Sequence, residues 1–186
     1  MTTQTGKRSN VGMIYGLIGG IACIIFTLCL YLAGPESFTN MGVGLGMYAV
    51  IITIAVLAGL AQKKQNGGYL DFGTALKTAF ITFAIAFLLQ TLFNFVLLNY
   101  INPSFRDELT RVSMEKMERM MKSWNVPESE IEKGMERMAN QNSYSFGNVI
   151  LGYGMMCIIS CIVSLIIAAI IKKNRPPFEN AFKESQ

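Results

Sequence analysis

The chain contains no histidine, and its charged residues avoid its long apolar stretches. Of the 186 residues, 52% are hydrophobic and only 15% are charged. Four runs contain no Asp, Glu, Lys or Arg, and they cover residues 11–33, 41–61, 78–101 and 148–171. These runs therefore lack the side chains that usually carry intramembrane proton transfer or acid–base chemistry. The absence weighs against an ion-coupled transporter and against an enzyme.

Cysteine is also missing from every polar segment. The four cysteines all lie inside the apolar runs, as Cys23, Cys29, Cys157 and Cys161. A disulfide framework or a zinc site would need accessible thiols at suitable spacing, so neither is predicted. We expect buried, unreactive thiols, no bound metal and no cofactor.

Each apolar run is long enough to cross a membrane. About 20 apolar residues in a helix span roughly 30 Å of hydrocarbon, and the mean hydropathy of the whole chain is positive. The first run follows Lys7 and Arg8 as a signal peptide would, yet it is longer than the ~7 to 15 apolar residues of such a peptide. We therefore predict an all-α membrane protein with four transmembrane helices, the first of which is retained.

The basic residues predict the orientation of these helices. If the chain crosses four times, nine basic residues fall on one side, namely Lys7, Arg8, Lys63, Lys64, Lys77, Lys172, Lys173, Arg175 and Lys183. The positive-inside rule makes that side cytoplasmic. The predicted layout is a cytoplasmic tail (1–10), a membrane domain (11–171) and a second cytoplasmic tail (172–186). The lipid bilayer is the first expected partner, and nucleic acid is not one.

Small residues recur every four positions in the first and fourth runs. They are Gly12, Gly16 and Gly20 in one, and Ser160, Ser164 and Ala168 in the other. This spacing lets helix backbones approach closely. We predict that the two ridges pack on each other, which would bring Cys23 and Cys161 to within one helix–helix contact; the alternatives are another pairing of the four helices or a ridge that faces a second copy of the protein.

Two amide side chains interrupt the third run. Gln90 and Asn94 lie one turn apart, and an unsatisfied polar group in hydrocarbon costs several kcal/mol. We expect both to face the bundle interior, where they would form interhelical hydrogen bonds. The alternative is that they line a path for a solute.

The connection before the third run combines a flexible turn with a helix start. Its residues 66–80 read NGGYLDFGTALKTAF. Gly67 and Gly68 favour a turn, and Asp71 is well placed to cap the following helix through its carboxylate.

The long segment 102–147 is predicted to be an extracytoplasmic amphipathic helical hairpin. Asn102 and Pro103 are typical of a helix start. The first helix carries Leu109 and methionines on one face and charged residues on the other. The residues before Pro127 break it, and a second helix follows. Seven basic and eight acidic residues nearly cancel in this segment.

Six of the twelve methionines fall in this hairpin, and they suggest a binding surface. The candidate partner-binding residues are Met114, Met117, Met121, Trp124, Ile131, Met135 and Met138. Flexible methionine suits an adaptable apolar face, and the partner would be another envelope protein or a second copy. The face could instead pack on the bundle or the lipid surface. A minor alternative is Cu(I) binding, because thioethers are soft ligands and Met114 and Met117 form an MxxM pair.

The chain as a whole resembles a bacterial membrane family catalogued as domain of unknown function 4199. The resemblance rests on the four runs, the NGGYLDFGTALKTAF turn, INP after the third run, and IIAAIIKK at the end of the fourth. It implies an integral inner-membrane protein of bacteria related to the Bacteroidetes, and it implies no activity, ligand or catalytic residue.

The function that these patterns favour is that of a non-enzymatic membrane scaffold or partner-binding subunit. The alternative is a small uncoupled transporter or channel component, with Gln90 and Asn94 along its path.

Overall fold

The computed structural model describes residues 11–140 and 144–174. Within them the chain forms seven α-helices and no strand: α1 Val11–Ala33, α2 Pro35–Phe38, α3 Met41–Gln65, α4 Phe72–Val96, α5 Pro103–Ser123, α6 Glu128–Asn140 and α7 Phe146–Ile171. One π-helical turn, Leu97–Ile101, extends α4. The predicted tail 1–10 and most of 172–186 lie outside the described residues.

Four of these helices have the length and composition to cross a membrane. They are Val11–Ala33, Met41–Gln65, α4 with its π-helical turn (Phe72–Ile101), and Phe146–Ile171. Large apolar side chains point away from the protein along them, such as Leu32 at 83% exposed and Ile170 at 76%. Such surfaces suit hydrocarbon. The predicted all-α architecture with four candidate membrane spans is therefore confirmed.

Helix α4 lies at the centre of the bundle. It contacts α1, α3 and α7, whereas α1 and α7 make no contact within the described residues. The glycine ridge of α1 lies on α4: a Cβ at Gly12 would come within 2.9 Å of the carbonyl oxygen of Thr78, and one at Gly16 within 2.8 Å of the Cβ of Ile85. The predicted pairing of the two small-residue ridges is therefore wrong, because the branched side chains of α4 fill the space that the glycines leave.

The second ridge is also buried, but against other helices. Ser160 is 3% exposed, and Ser164 and Ala168 are fully buried; the neighbours of α7 are α4 and α3. The expectation of buried thiols holds for Cys23 and is wrong for Cys29 and Cys161, which are exposed, while Cys157 is partly buried.

One end of the bundle, here called the lysine end, is held by contacts between the α3–α4 loop and the end of α7. Leu70 and Lys173 exchange two backbone hydrogen bonds of 2.9 and 2.8 Å. The Lys63 ammonium donates to the carbonyl oxygen of Ile171 at 2.9 Å, which satisfies one of the carbonyls left unpaired at a helix C-terminus. Asp71 caps α4 as predicted, its Oδ2 accepting from the Thr74 N–H at 2.8 Å.

The opposite end, here called the α5 end, contains a cluster of aromatic rings. Tyr31 at the end of α1 meets Phe105 of α5 edge-on, with ring centroids 4.7 Å apart. Phe38 of α2 contacts Phe105 in the same way at 5.8 Å. The Asn102 amide donates to the hydroxyl of Tyr31 at 2.9 Å. These contacts attach the start of α5 to the spans.

Candidate functional site

Helix α5 begins where the sequence predicts. Asn102 Oδ1 accepts from the Phe105 N–H at 3.0 Å, and Pro103 occupies the first helical position. Its first three turns bury Phe105, Leu109 and Val112. The root of α5 is therefore fixed to the bundle by apolar burial, since each large side chain removed from solvent stabilises by about 1.5 to 3 kcal/mol.

The opposite face of α5 carries ion pairs between residues one helical turn apart. Glu118 accepts from Lys122 at 2.7 Å, and Glu115 lies 3.7 Å from Arg119. Glu115 also pairs with Arg111 one turn earlier. Exposed pairs of this kind contribute only a few tenths of a kcal/mol each, so their main effect is to keep this face solvated.

The turn after α5 reverses the chain by a specific backbone pattern. Asn125 has a φ of 55°, in the left-handed region. The Val126 N–H donates to the Met121 carbonyl at 3.1 Å, and the Asn125 N–H donates to the Lys122 carbonyl at 3.0 Å. This pair of bonds is the Schellman motif, in which asparagine is tolerated at the left-handed position. The predicted break before Pro127 is thus a defined helix cap.

Helix α6 contacts no element other than α5 in the described chain. Ile131 is only 5% exposed, and a Cβ at Gly134 would lie 3.5 Å from the Cε of Met121. These contacts hold α6 to the distal half of α5. Within the described residues, the helix pair therefore contacts the bundle only through α5, at its root and at Lys116, which donates to Glu36 and Thr39.

The structure places the seven candidate partner-binding residues in different environments. Trp124 lies at the turn and is 68% exposed, whereas Ile131 is buried within the helix pair. The other candidates are partly buried: Met114, Met117, Met121, Met135 and Met138. Met120 is 38% exposed. Trp124 and Met120 therefore form the accessible apolar surface at the tip of the pair.

A groove of about 420 Å³ runs between α5 and the start of α3. Its apolar lining comes from Met41, Met117 and Met120. The Lys116 ammonium also lines it, donating to the Glu36 carbonyl at 2.9 Å and to the Thr39 hydroxyl at 2.7 Å. A positive charge at this position disfavours a cation such as Cu(I) among the same methionines. Met41 is 82% exposed, so the groove continues the apolar surface of the tip.

Gln90 and Asn94 contact different neighbours. The Gln90 amide donates to the Thr27 hydroxyl of α1, so it forms a predicted interhelical hydrogen bond. Asn94 instead lines a second cavity, between α4 and α7 at the α5 end. Its Oδ1 is buried and has no hydrogen-bond partner. The structure does not bring the two amides together on one path.

Sequence reasoning missed the residues that join the membrane bundle to α5. The connection between the first two spans, residues 34–40, contains the short helix α2, which presents Phe38, and Tyr144 packs on the same cluster. Burial raises the pKa of Tyr144, while Thr110 and Arg106 lower it in part. The only signal in the sequence was the aromatic enrichment around these loops.

Within the described residues, no group of three or more His, Cys, Asp or Glu side chains could hold a metal ion. Three long apolar helices around a central fourth, with two polar helices at one end, are the arrangement expected of a multi-span membrane protein. The family described as Protein of unknown function (DUF4199) matches residues 14–173. The chain belongs to this family, as the resemblance predicted. No curated protein and no solved structure matches it.

Proposed function

We propose that the protein is a non-enzymatic, membrane-anchored subunit that binds a partner protein through the tip of its α5–α6 pair. The observation that carries the proposal is the contrast along α5. Phe105 and Leu109 are buried at its root, while Trp124 is 68% exposed at its tip. A rigid attachment with an exposed aromatic anchor is typical of a recognition element, because tryptophan and methionine are enriched in protein interfaces.

Charge also favours a protein partner over a lipid surface. The helix pair has ion pairs of both signs along its solvated face, and basic and acidic residues nearly cancel between positions 102 and 147. Helices that bind anionic membranes are instead rich in Lys and Arg on the polar face. The partner is another envelope protein or a second copy of this chain.

The same proposal assigns the two ends of the bundle. The lysine end carries Lys63, Lys64, Lys172 and Lys173, and the positive-inside rule makes it cytoplasmic in a bacterial inner membrane. The α5 end is then extracytoplasmic. A variant that lacks the four native cysteines and carries Ser129→Cys should react with an impermeant maleimide in intact cells. A cysteine at Gln65 should react only after lysis, and labelling of Gln65→Cys in intact cells would contradict this orientation.

Partner binding is tested by photocrosslinking from the tip. A photoreactive phenylalanine analogue at Trp124 or Met120 should give one discrete adduct, at twice the chain mass for a second copy and at another mass for a different protein. The matched control is the same analogue at Glu108, which lies on the solvated face near the root of the same helix. Failure to form an adduct from either tip position, or equal adducts from Glu108, would overturn the proposal.

A further inference from the structure

The cavity that Asn94 lines is a built cleft and not a packing defect. It measures about 310 Å³ and lies between α4 and α7 at the α5 end. Its polar residues are Thr91, Asn94, Asn99, Tyr144, Asn148 and Tyr153, and the rest of its lining is aromatic or aliphatic. A volume of roughly 300 Å³ or more, mainly apolar with a few convergent polar groups, is typical of a small-molecule site.

Specific side-chain contacts hold the walls of this cleft in place. The Tyr153 hydroxyl of α7 donates to the Ala84 carbonyl of α4 at 3.1 Å. On the same helix, Met156 Sδ accepts from the Tyr48 hydroxyl at 3.0 Å. Nearer the α5 end, the Asn99 amide donates to the Tyr144 carbonyl at 3.3 Å. The cleft is therefore preformed, and a ligand would not have to open it.

Asn94 presents an unused acceptor inside the cleft. Its buried Oδ1 has no hydrogen-bond partner in the described structure. The residue lies seven positions before Ile101, so at 1.5 Å per residue it is ~10 Å below the end of the span. A hydrogen-bond donor that enters the cleft would therefore find an unused acceptor there.

Gly152 leaves one wall of the cleft bare. A Cβ at this position would meet no atom within 4 Å, whereas a Cβ at Gly16 of α1 would collide with α4. Gly152 is also exposed. It therefore has no role in helix contact, although glycine lowers helix stability relative to other residues. A side chain at position 152 would therefore enter free space at the edge of the cleft.

We propose that this cleft binds an amphiphile of the bilayer whose uncharged head donates a hydroxyl to Asn94 and whose aliphatic chain lies along the apolar lining. No charged side chain lines the cleft. The Arg106 guanidinium, which contacts Asn99 at 3.4 Å, is paired with Asp107 at 2.9 Å. These contacts disfavour a charged headgroup. The inference is independent of partner binding by α5 and α6.

The test uses photolabelling in phosphatidylcholine nanodiscs. The probe is a monoacylglycerol with a diazirine in its acyl chain, and the matched probe is its dimethyl ether, which cannot donate a hydrogen bond. The monoacylglycerol, whose hydroxyls are free, should label peptides that contain residues 91–99 and 148–156 at least tenfold more than its dimethyl ether does. Equal labelling by both probes, or no labelling at these peptides, would overturn the proposal.

Variants separate binding from folding. Gly152→Leu should fill the cleft and abolish labelling. The control is Gly154→Leu on the same helix, which also meets no neighbour but does not line the cleft; it should label as the wild type does. Asn94→Leu should reduce labelling to the level of the ether without lowering the Tm of the unliganded protein. Wild-type labelling of Gly152→Leu, or a protein–protein adduct through this cleft in its place, would contradict the inference.

Discussion

Helix α4 has two unlike faces. Toward α1 it is packed so closely that a methyl group added at Gly16 would lie 2.8 Å from Ile85. Toward α7, at the α5 end, the same helix borders a cavity of about 310 Å³. Both interfaces are apolar, so hydropathy does not distinguish them. The difference comes from side-chain size at the contact, because glycines let α1 approach α4 whereas α7 reaches α4 through the long side chain of Tyr153.

Side-chain size at the contact also changes along the α4–α7 interface. At the lysine end, the buried residues Ala75, Ala79 and Ala168 allow the two helices to touch. At the α5 end, Tyr153 of α7 reaches the backbone of α4, and Met156 reaches Tyr48 of α3. The pair is therefore joined through small residues at one end and through large side chains at the other, where the cleft lies.

The largest expected difference in unfolding free energy is between substitution of a phenylalanine in the closed core and substitution of one at the cleft. Phe83 is 2% exposed, and Phe83→Ala should lower the free energy of unfolding by about 3 to 5 kcal/mol because it leaves a cavity. Phe95 is only partly buried and borders an existing cavity, so Phe95→Ala should cost less, about 1 to 3 kcal/mol including its ring contacts with Tyr100 and Phe146. Unfolding in detergent of graded denaturing strength measures both. Equal losses would remove the distinction between the two regions.

A smaller effect is expected from the hydrogen bond between α1 and α4. Thr27→Val keeps the shape of the side chain but leaves the Gln90 amide buried without its partner, which should cost about 1 to 3 kcal/mol. Replacing both partners by apolar groups can be nearly neutral. The double variant with Gln90→Leu should therefore recover most of the loss. A double variant less stable than either single one would argue against this contact.

Substitution of Asn94 should raise the free energy of unfolding, whereas Thr27→Val should lower it. The Asn94 Oδ1 is buried without a partner, so Asn94→Leu removes a desolvation cost of about 1 kcal/mol and should raise the unfolding free energy of the unliganded protein. The measurement is the same unfolding titration in the absence of added lipid probe. Destabilisation by Asn94→Leu would mean that the amide already has a partner.

The smallest effect concerns the cap of α4, on which both faces depend. The hydrogen bond from Thr74 lowers the pKa of Asp71 below its usual 3.8. A depressed folded pKa contributes stability above pH 3.8 that is lost as the pH falls through the folded pKa. The Tm of the wild type should therefore drop below pH ~4 slightly more than that of Asp71→Asn, which keeps a capping oxygen without a charge. Parallel curves would contradict the assignment.

The spans and the helix ends could be predicted because they depend on local chemistry. Runs without charge define the spans, and Asp71 and Asn102 cap helices through their own side chains. The partner of the α1 glycine ridge could not be predicted. Gly16 fits any helix with a complementary surface, and only the assembled bundle shows that this surface is Ile85 of α4.

Some features of the candidate partner-binding surface could likewise be predicted from the sequence, and others could not. The amphipathic pattern of α5 and the break at Asn125 are visible in the sequence, because periodicity and turn chemistry are local. The exposure of Trp124 and the burial of Ile131 depend on how α6 returns along α5. The cleft could not be predicted at all, since Asn94 and Gly152 line one cavity only when α4 and α7 are packed side by side.

The most direct test places the same glycine-to-leucine substitution in each of two helices that pack on α4, namely α1 and α7. Gly16→Leu and Gly152→Leu are compared by thermal unfolding in one detergent, with Gly154→Leu as the reference for helix propensity. Gly16→Leu should abolish the cooperative transition or lower the Tm by ~10 °C or more, because overpacking here meets the backbone of α4. Gly152→Leu should unfold within ~2 °C of Gly154→Leu. Equal destabilisation by the two substitutions would contradict the closed and open faces of α4.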